Sequence, residues 1–275
     1  MPETNEQTAL TPPFLKWAGG KRWLTAQIEE VLPEFSGRYI EPFLGSGAIF
    51  FHLQPRASIL ADANVQLIET YQAIQHNWER VVNQLKTHHR NHSPEYYYKV
   101  RASKPRTLHT KAAKFIYLNR TCWNGLYRVN LSGEFNVPIG TKKNVVLNSD
   151  RFDLTATSLA NSELMASDFE RVINLAGEND FLFIDPPYTA KHNYNGFIKY
   201  NEKLFSWNDQ MRLKRAIDRA ISRGAKALIT NANHNSIKDL YGNYPYESAT
   251  RRNTIAANSK NRGKFDELLI FCGYD

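Results

Sequence analysis

Asp185-Pro186-Pro187-Tyr188 follows directly on four apolar residues, Phe181-Leu182-Phe183-Ile184. A carboxylate acceptor beside an aromatic plate suits a planar ring that carries an amino group. The ring would stack on Tyr188 and the amine would donate to Asp185. The prolines lack the donor that a sheet ladder needs, so a strand over 181–184 must stop there. They also restrict the backbone between the acid and the ring. Asp185 and Tyr188 are then held at the C-terminal end of a buried strand, the edge at which open α/β sheets bind ligands. An ordinary strand and turn could carry the same residues, so the rest of the chain has to decide.

Two further groups bear on a ligand. Tyr39 to Phe51 reads as strand, glycine turn and helix, with Gly45 and Gly47 around Ser46. Glycine there lets a ligand approach the backbone closely. Ser58 to Asn64 reads as a second strand ending in Asp62, an acid suited to ribose hydroxyls. This series points to an adenosine-containing cofactor. Gly45-x-Gly47 lacks the third glycine of the dinucleotide fingerprint, which counts against NAD. Upstream, Phe14-Leu15-Lys16-Trp17-Ala18-Gly19-Gly20-Lys21-Arg22 sets a glycine pair among cations and an indole. It suits an anion or nucleotide but lacks the Walker spacing.

The elements that must position these residues follow from periodicity. A short helix is expected from Leu24 to Leu32, ended by Pro33. Apolar residues from Val65 to Leu85 recur at three and four, which predicts a long helix. Residues 86–114 crowd Lys, Arg and His around Tyr96-Tyr97-Tyr98. The histidines match no standard zinc spacing, and the stretch reads as a solvated basic face or a phosphate-facing one. Asn and Arg recur among aromatics and glycines from Phe115 to Pro138. Those types pair with adenine and guanine edges in a major groove, and a hairpin near Asn130 to Phe135 would reach one. A structural lobe with turn-capping asparagines fits equally well. Beyond it, short helices and a strand over 164–169 lead to Asp168, and 189–206 reads as a mobile loop. A helix over 209–222, strands over 225–230 and 268–271, and a basic segment over 251–264 complete the chain.

Across 275 residues, 35 basic side chains face 27 acidic ones, a formal net charge of +8. That excess favours a polyanionic partner. Cys122 and Cys272 lie far apart and match no zinc spacing, which suits a reducing compartment. The first residues are polar and acidic, unlike a secretory signal. No apolar run approaches the ~20 residues that span a bilayer. A cytoplasmic setting, without membrane or metal, is expected.

In this order the blocks resemble the Dam-like DNA adenine-N6 methyltransferases, the alpha or D12 class. The resemblance is carried by residues 14–21, Glu41-Pro42-Phe43-Leu44-Gly45-Ser46-Gly47, Asp62-Ala63-Asn64, Asn119-Arg120 and Asn124-Gly125-Leu126-Tyr127-Arg128. It continues through Asn130, Gly133 to Pro138, Asp168-Phe169, Asp185 to Tyr188, Arg251-Arg252-Asn253 and Glu267-Leu268-Leu269-Ile270. It implies a Rossmann-like seven-stranded α/β sheet, with a mainly helical target-recognition lobe that carries a β-hairpin. The expected division is a flexible tail over 1–13, a catalytic domain over 14–70 and 160–275, and a recognition domain over 71–159.

The resemblance also implies roles. S-adenosylmethionine would be held by Trp17, Lys21, Glu41, Phe43, Gly45, Gly47, Asp62, Asp168 and Asp185. Catalysis would rest on Asp185, Pro186, Pro187 and Tyr188. Double-stranded DNA would be met by Lys16, Arg120, Asn124, Leu126, Arg128, Asn130, Phe135, Asn136, Pro138, Arg251, Arg252 and Lys264. GATC is the expected site and a monomer the expected state, with a dimer as the alternative. Neither cysteine has the Pro-Cys context of cytosine C5 chemistry. The rival readings are an amino-methyltransferase on another base, RNA or protein, and a DNA-binding module without catalysis.

Overall fold

Seven strands form one sheet: β1 (Tyr39–Glu41), β2 (Ser58–Asp62), β3 (Ser162–Ala166), β4 (Phe181–Ile184), β5 (Lys226–Ala232), β6 (Tyr246–Arg252) and β7 (Lys264–Cys272). The computed structural model describes residues 11–125, 127–130, 134–189, 205–252 and 264–274, and only the backbone at 251, 252, 264 and 265. The order across the sheet is β3-β2-β1-β4-β5-β7-β6. β2, β1, β4 and β5 run parallel. Strands covered on both faces need continuous apolar runs, and every residue of β4 is buried. β7 runs antiparallel to both β5 and β6. The chain passes from β1 to β2 on one side, while β4 pairs on the other side. This reversal beside β1 is where an open sheet leaves a crevice at its C-terminal edge.

The strands differ from expectation at their ends. The strand anticipated over 164–169 is β3, which stops at Ala166. β7 is nine residues long rather than the four expected. β6 was not anticipated, because Tyr-Glu-Ser-Ala-Thr-Arg-Arg carries little apolar signal. It is an edge strand held by its seven-residue register with β7, from Tyr246↔Ile270 to Arg252↔Lys264.

The described chain divides into two units. The first draws on residues up to Thr25, on Gly45–Gln54 and on Asn64–Ala166, and the second on Ala26–Leu44, Pro55–Ala63 and Ser167 onward. The helices in chain order are α1 (Ile28–Val31), α2 (Ala48–Leu53), α3 (Val65–Asn91), α4 (Pro94–Ala102), α5 (Leu108–Thr121), α6 (Phe152–Leu159), α7 (Phe169–Ile173), α8 (Trp207–Ser222) and α9 (Asn235–Leu240). In the second unit α8 starts at a capping box formed by Ser206 and Asp209. Of the expected tail, Thr11 is buried and the Pro13 carbonyl accepts from Arg22. Residues 1–10 and most of the loop expected over 189–206 lie outside the described residues.

In the first unit α3 runs on to Asn91, six residues past its expected end at Leu85. The basic stretch 86–114 is therefore not simply a solvated face. His88 is only 6% exposed. Its Nδ1 lies 2.9 Å from the Tyr96 hydroxyl, and its ring stacks on Tyr117. His92 Nδ1 lies 2.9 Å from the Tyr117 hydroxyl. Burial pushes the His88 imidazole down to about 4. The unfolded chain protonates near 6.5 while the folded chain resists, so stability falls as pH drops from about 6.5 towards about 4. The shift corresponds to a loss of about 3 kcal/mol at most. Urea titrations at stepped pH should show this loss, and His88→Phe should flatten it; an unchanged slope in that variant would refute the assignment.

Candidate active site

Asp185 leaves the C-terminal end of β4 and Pro186 beside it is buried. Thr230 on β5 is fully buried and donates its hydroxyl to Asp185 Oδ1 at 2.6 Å. The carboxylate is thus held from the neighbouring parallel strand. Tyr188 donates its phenol to Glu267 Oε2 at 2.7 Å. Burial raises the Tyr188 phenol well above its ordinary value, and the Asp185 and Glu267 charges add to this. The phenol stays a donor across the neutral range.

Two more acids of the second unit sit at the same edge. Glu41 ends β1, is buried, and accepts from the Tyr39 hydroxyl at 2.8 Å. Asp62 ends β2 half-buried, and its carbonyl accepts from the Ser167 amide at 3.2 Å. Asp168 caps α7, with Oδ1 accepting from the Glu170 amide at 3.0 Å. Arg212 donates to both of its oxygens, at 3.2 and 2.8 Å. Among the described residues, three of the roughly four acceptor positions of that carboxylate are occupied. Phe43 stacks on Phe169 at 5.4 Å and meets Phe205 edge-on.

The first unit carries the glycine turn. Gly45 and Gly47 take positive φ, +48° and +64°. A Cβ on Gly45 would lie 2.7 Å from Trp17 Cδ1, so only glycine lets the indole rest on this backbone. The Gly45 carbonyl accepts from the Tyr71 hydroxyl at 3.0 Å. Lys21 is buried and donates to the Gly19 carbonyl at 2.9 Å. Trp17 stacks on Tyr127 at 5.9 Å, and Tyr127 packs on Phe115 and Phe135. The indole beside the glycine turn is therefore joined through rings to residues read as DNA contacts. Tyr127 has no expected role, and its Leu-Tyr-Arg context carries no signal for one.

The expected DNA contacts are placed unevenly. Arg120 is 3% exposed, so its reading as a DNA contact is corrected. It makes two 2.7 Å bonds to Asp150 and also donates to the Val145 and Phe14 carbonyls. A guanidinium so occupied has no face to offer a base. Asn124 is exposed at positive φ, and Arg128, Asn136 and Pro138 are exposed. Arg128 donates to the Asn136 carboxamide at 3.1 Å. Asn130 exchanges hydrogen bonds with Glu134, and a bridge joins Val129 to Phe135. Lys16 is half-buried, its backbone clamped by the Asn119 carboxamide at 2.9 and 2.8 Å. Trp123, between Arg120 and Asn124, is 55% exposed. Leu126 and the side chains of Arg251, Arg252 and Lys264 lie outside the described residues.

Among the described residues no group of three or more His, Cys, Asp or Glu could hold a metal ion. No helix among them is long and apolar enough to cross a membrane. Residues 17–256 match the family model of D12 class N6 adenine-specific DNA methyltransferases. The chain belongs to this family. It is 33% identical over 267 residues to the type II methyltransferase M1.LlaDCHI of Lactococcus lactis subsp. cremoris, covering 94% of each chain. It is 35% identical over 262 residues to the DNA N-6-adenine-methyltransferase of Escherichia phage P1, covering 93% of this chain and 35% of the phage protein. It is 30% identical to the DNA adenine methylase of Escherichia coli K12 over 260 residues, covering 93% of each. The mixed, mostly parallel sheet of this D12 methyltransferase is a Rossmann-like methyltransferase fold. The D12 enzyme thus presents acids at the ends of β1, β2 and β4, and a tyrosine ring held by its hydroxyl.

Proposed function

We propose that this adenine-specific DNA methyltransferase takes its methyl group from S-adenosylmethionine and acts on the adenine of GATC in duplex DNA. The observation that carries the reading is the anchored pair at the end of β4, Asp185 held by Thr230 and Tyr188 held by Glu267. The donor set suits the cofactor, which brings a sulfonium, an ammonium, ribose hydroxyls and an adenine amine. Carboxylates complement all four. Asp62 would take the ribose hydroxyls and Asp168 the adenine amine. Glu41, Phe43, Trp17, Lys21, Gly45 and Gly47 are the other residues assigned to it. When bound, the cofactor supplies an electrophilic methyl group on sulfur.

The chain's own residues act on the target base. An adenine stacked in a duplex is out of reach, so it must be flipped out. Tyr188 offers the face on which it stacks. Asp185 and the Pro186 carbonyl accept its two amine hydrogens, which aims the nitrogen lone pair and opposes growing positive charge. In this reading Arg128, Asn130 and residues 135–138 read bases, and residues 71–159 supply recognition. GATC itself rests on the resemblance of residues 119–138 to the Dam-like enzymes. The test is transfer of labelled methyl from S-adenosylmethionine to duplexes that differ only in GATC against GTAC, with the product nucleosides identified. N6-methyladenine in the GATC duplex alone is expected. Equal labelling of both would overturn the assigned site, and label on cytosine would overturn the chemistry.

A further inference from the structure

Glu267 has no part in the function proposed so far, although it lies within a block that carries the family resemblance. We infer that Glu267 is the residue that positions the Tyr188 ring for the flipped base, and that Thr230 does the same for Asp185. The inference rests on the proposed roles of Asp185 and Tyr188.

The argument starts from strand direction. β4 and β5 run parallel, so their C-terminal ends share one sheet edge. β7 runs antiparallel to β5, so it is the early part of β7 that lies at that edge, with Glu267 opposite Ala232. Directly opposed residues point to one face, and so do residues two apart on a strand. Thr230, Ala232 and Glu267 therefore share a face, with Thr230 opposite Leu269. An all-parallel continuation would have put the start of this strand at the far edge. The reversal brings in a carboxylate that is 4% exposed and accepts the phenol of Tyr188 at 2.7 Å.

The consequence for the ring is specific. Its hydroxyl is directed to Glu267, so Tyr188 serves the base by its face and not as a proton donor. A phenol bonded to a buried carboxylate is a charge-assisted pair, among the stronger hydrogen bonds in proteins. It fixes the tilt of the ring, and placement errors near 1 Å are costly to an aligned reaction.

Tyr188→Phe, Glu267→Leu and Glu267→Gln test this, with single-turnover methyl transfer as the readout. Tyr188→Phe and Glu267→Leu should each lower the rate about tenfold, the scale of one charge-assisted bond, with KM for the methyl donor unchanged. The double variant should be no slower than either single one, because both remove the same bond. Glu267→Gln keeps an acceptor oxygen and should regain most of the rate. A fluorescent base analogue, 2-aminopurine, at the target position should be brighter in the Tyr188→Phe complex than in the native one, because a looser ring quenches less. If Glu267→Leu fails to fold, Tyr188→Phe and Glu267→Gln still decide. Multiplying effects in the double variant, or native rate and native fluorescence in Tyr188→Phe, would overturn the inference. Native protein that methylates no adenine would overturn the underlying reading, and the inference with it.

Discussion

Asp185→Ala is expected to leave a folded protein that binds duplex DNA and loses methyl transfer by about 10²–10³-fold, the usual cost of removing one preorganised electrostatic partner. The nitrogen of an adenine amine is a weak nucleophile, since its lone pair is delocalised into the ring. A carboxylate accepting one amine hydrogen counters that delocalisation and the positive charge that grows on nitrogen. The acid is already aimed, because Thr230 on the neighbouring strand holds Oδ1 at 2.6 Å. Asp185→Asn separates shape from charge and should fall between native and alanine. Labelled-methyl transfer under single turnover gives the rates, and a melting curve with DNA titration controls for fold and binding. An alanine variant that keeps more than about a tenth of the native rate would remove Asp185 from the chemistry.

The second large effect concerns stability and follows from the corrected role of Arg120. Arg120→Leu is expected to cost about 3–5 kcal/mol, the scale for breaking a buried ion pair from one side. The cost arises because Asp150 would keep its charge in a buried site after losing both 2.7 Å partners. The Val145 and Phe14 carbonyls would lose their donor as well. Arg120→Leu combined with Asp150→Leu should be milder than the two single losses added together. Chemical denaturation measures all three. A direct DNA contact would instead give a stable variant with weaker binding and a smaller salt dependence.

These two residues show what was legible in the sequence. The place of Asp185 could be read because its signal is local: an apolar strand, an acid and two prolines fix the end of the strand at Ile184. The place of Asp62 is legible for the same reason, since it closes a short apolar run. Arg120 was misread because its partner Asp150 is thirty residues away, and no periodicity links them. His88 and His92 were obscured in the same way, since the tyrosines that bury them come from α4 and α5. β6 escaped because an edge strand needs little apolar content of its own when β7 supplies the ladder. The anchors Thr230 and Glu267 depend on register between strands, which the order of residues along one strand does not contain.

The place of β7 also bears on how the chain is made. It is the last strand in the sequence yet lies inside the sheet, between β5 and β6. A ribosome delivers residues in order, and parts that emerge first begin to fold first. Until residues 264–272 have left the exit tunnel, β5 presents an open ladder edge and β6 has no neighbour. An unpaired edge in a half-made chain invites pairing with another copy. Closing that edge and delivering Glu267 to Tyr188 are one event, so a nascent chain stopped short of β7 has both a sticky flank and a loose aromatic ring.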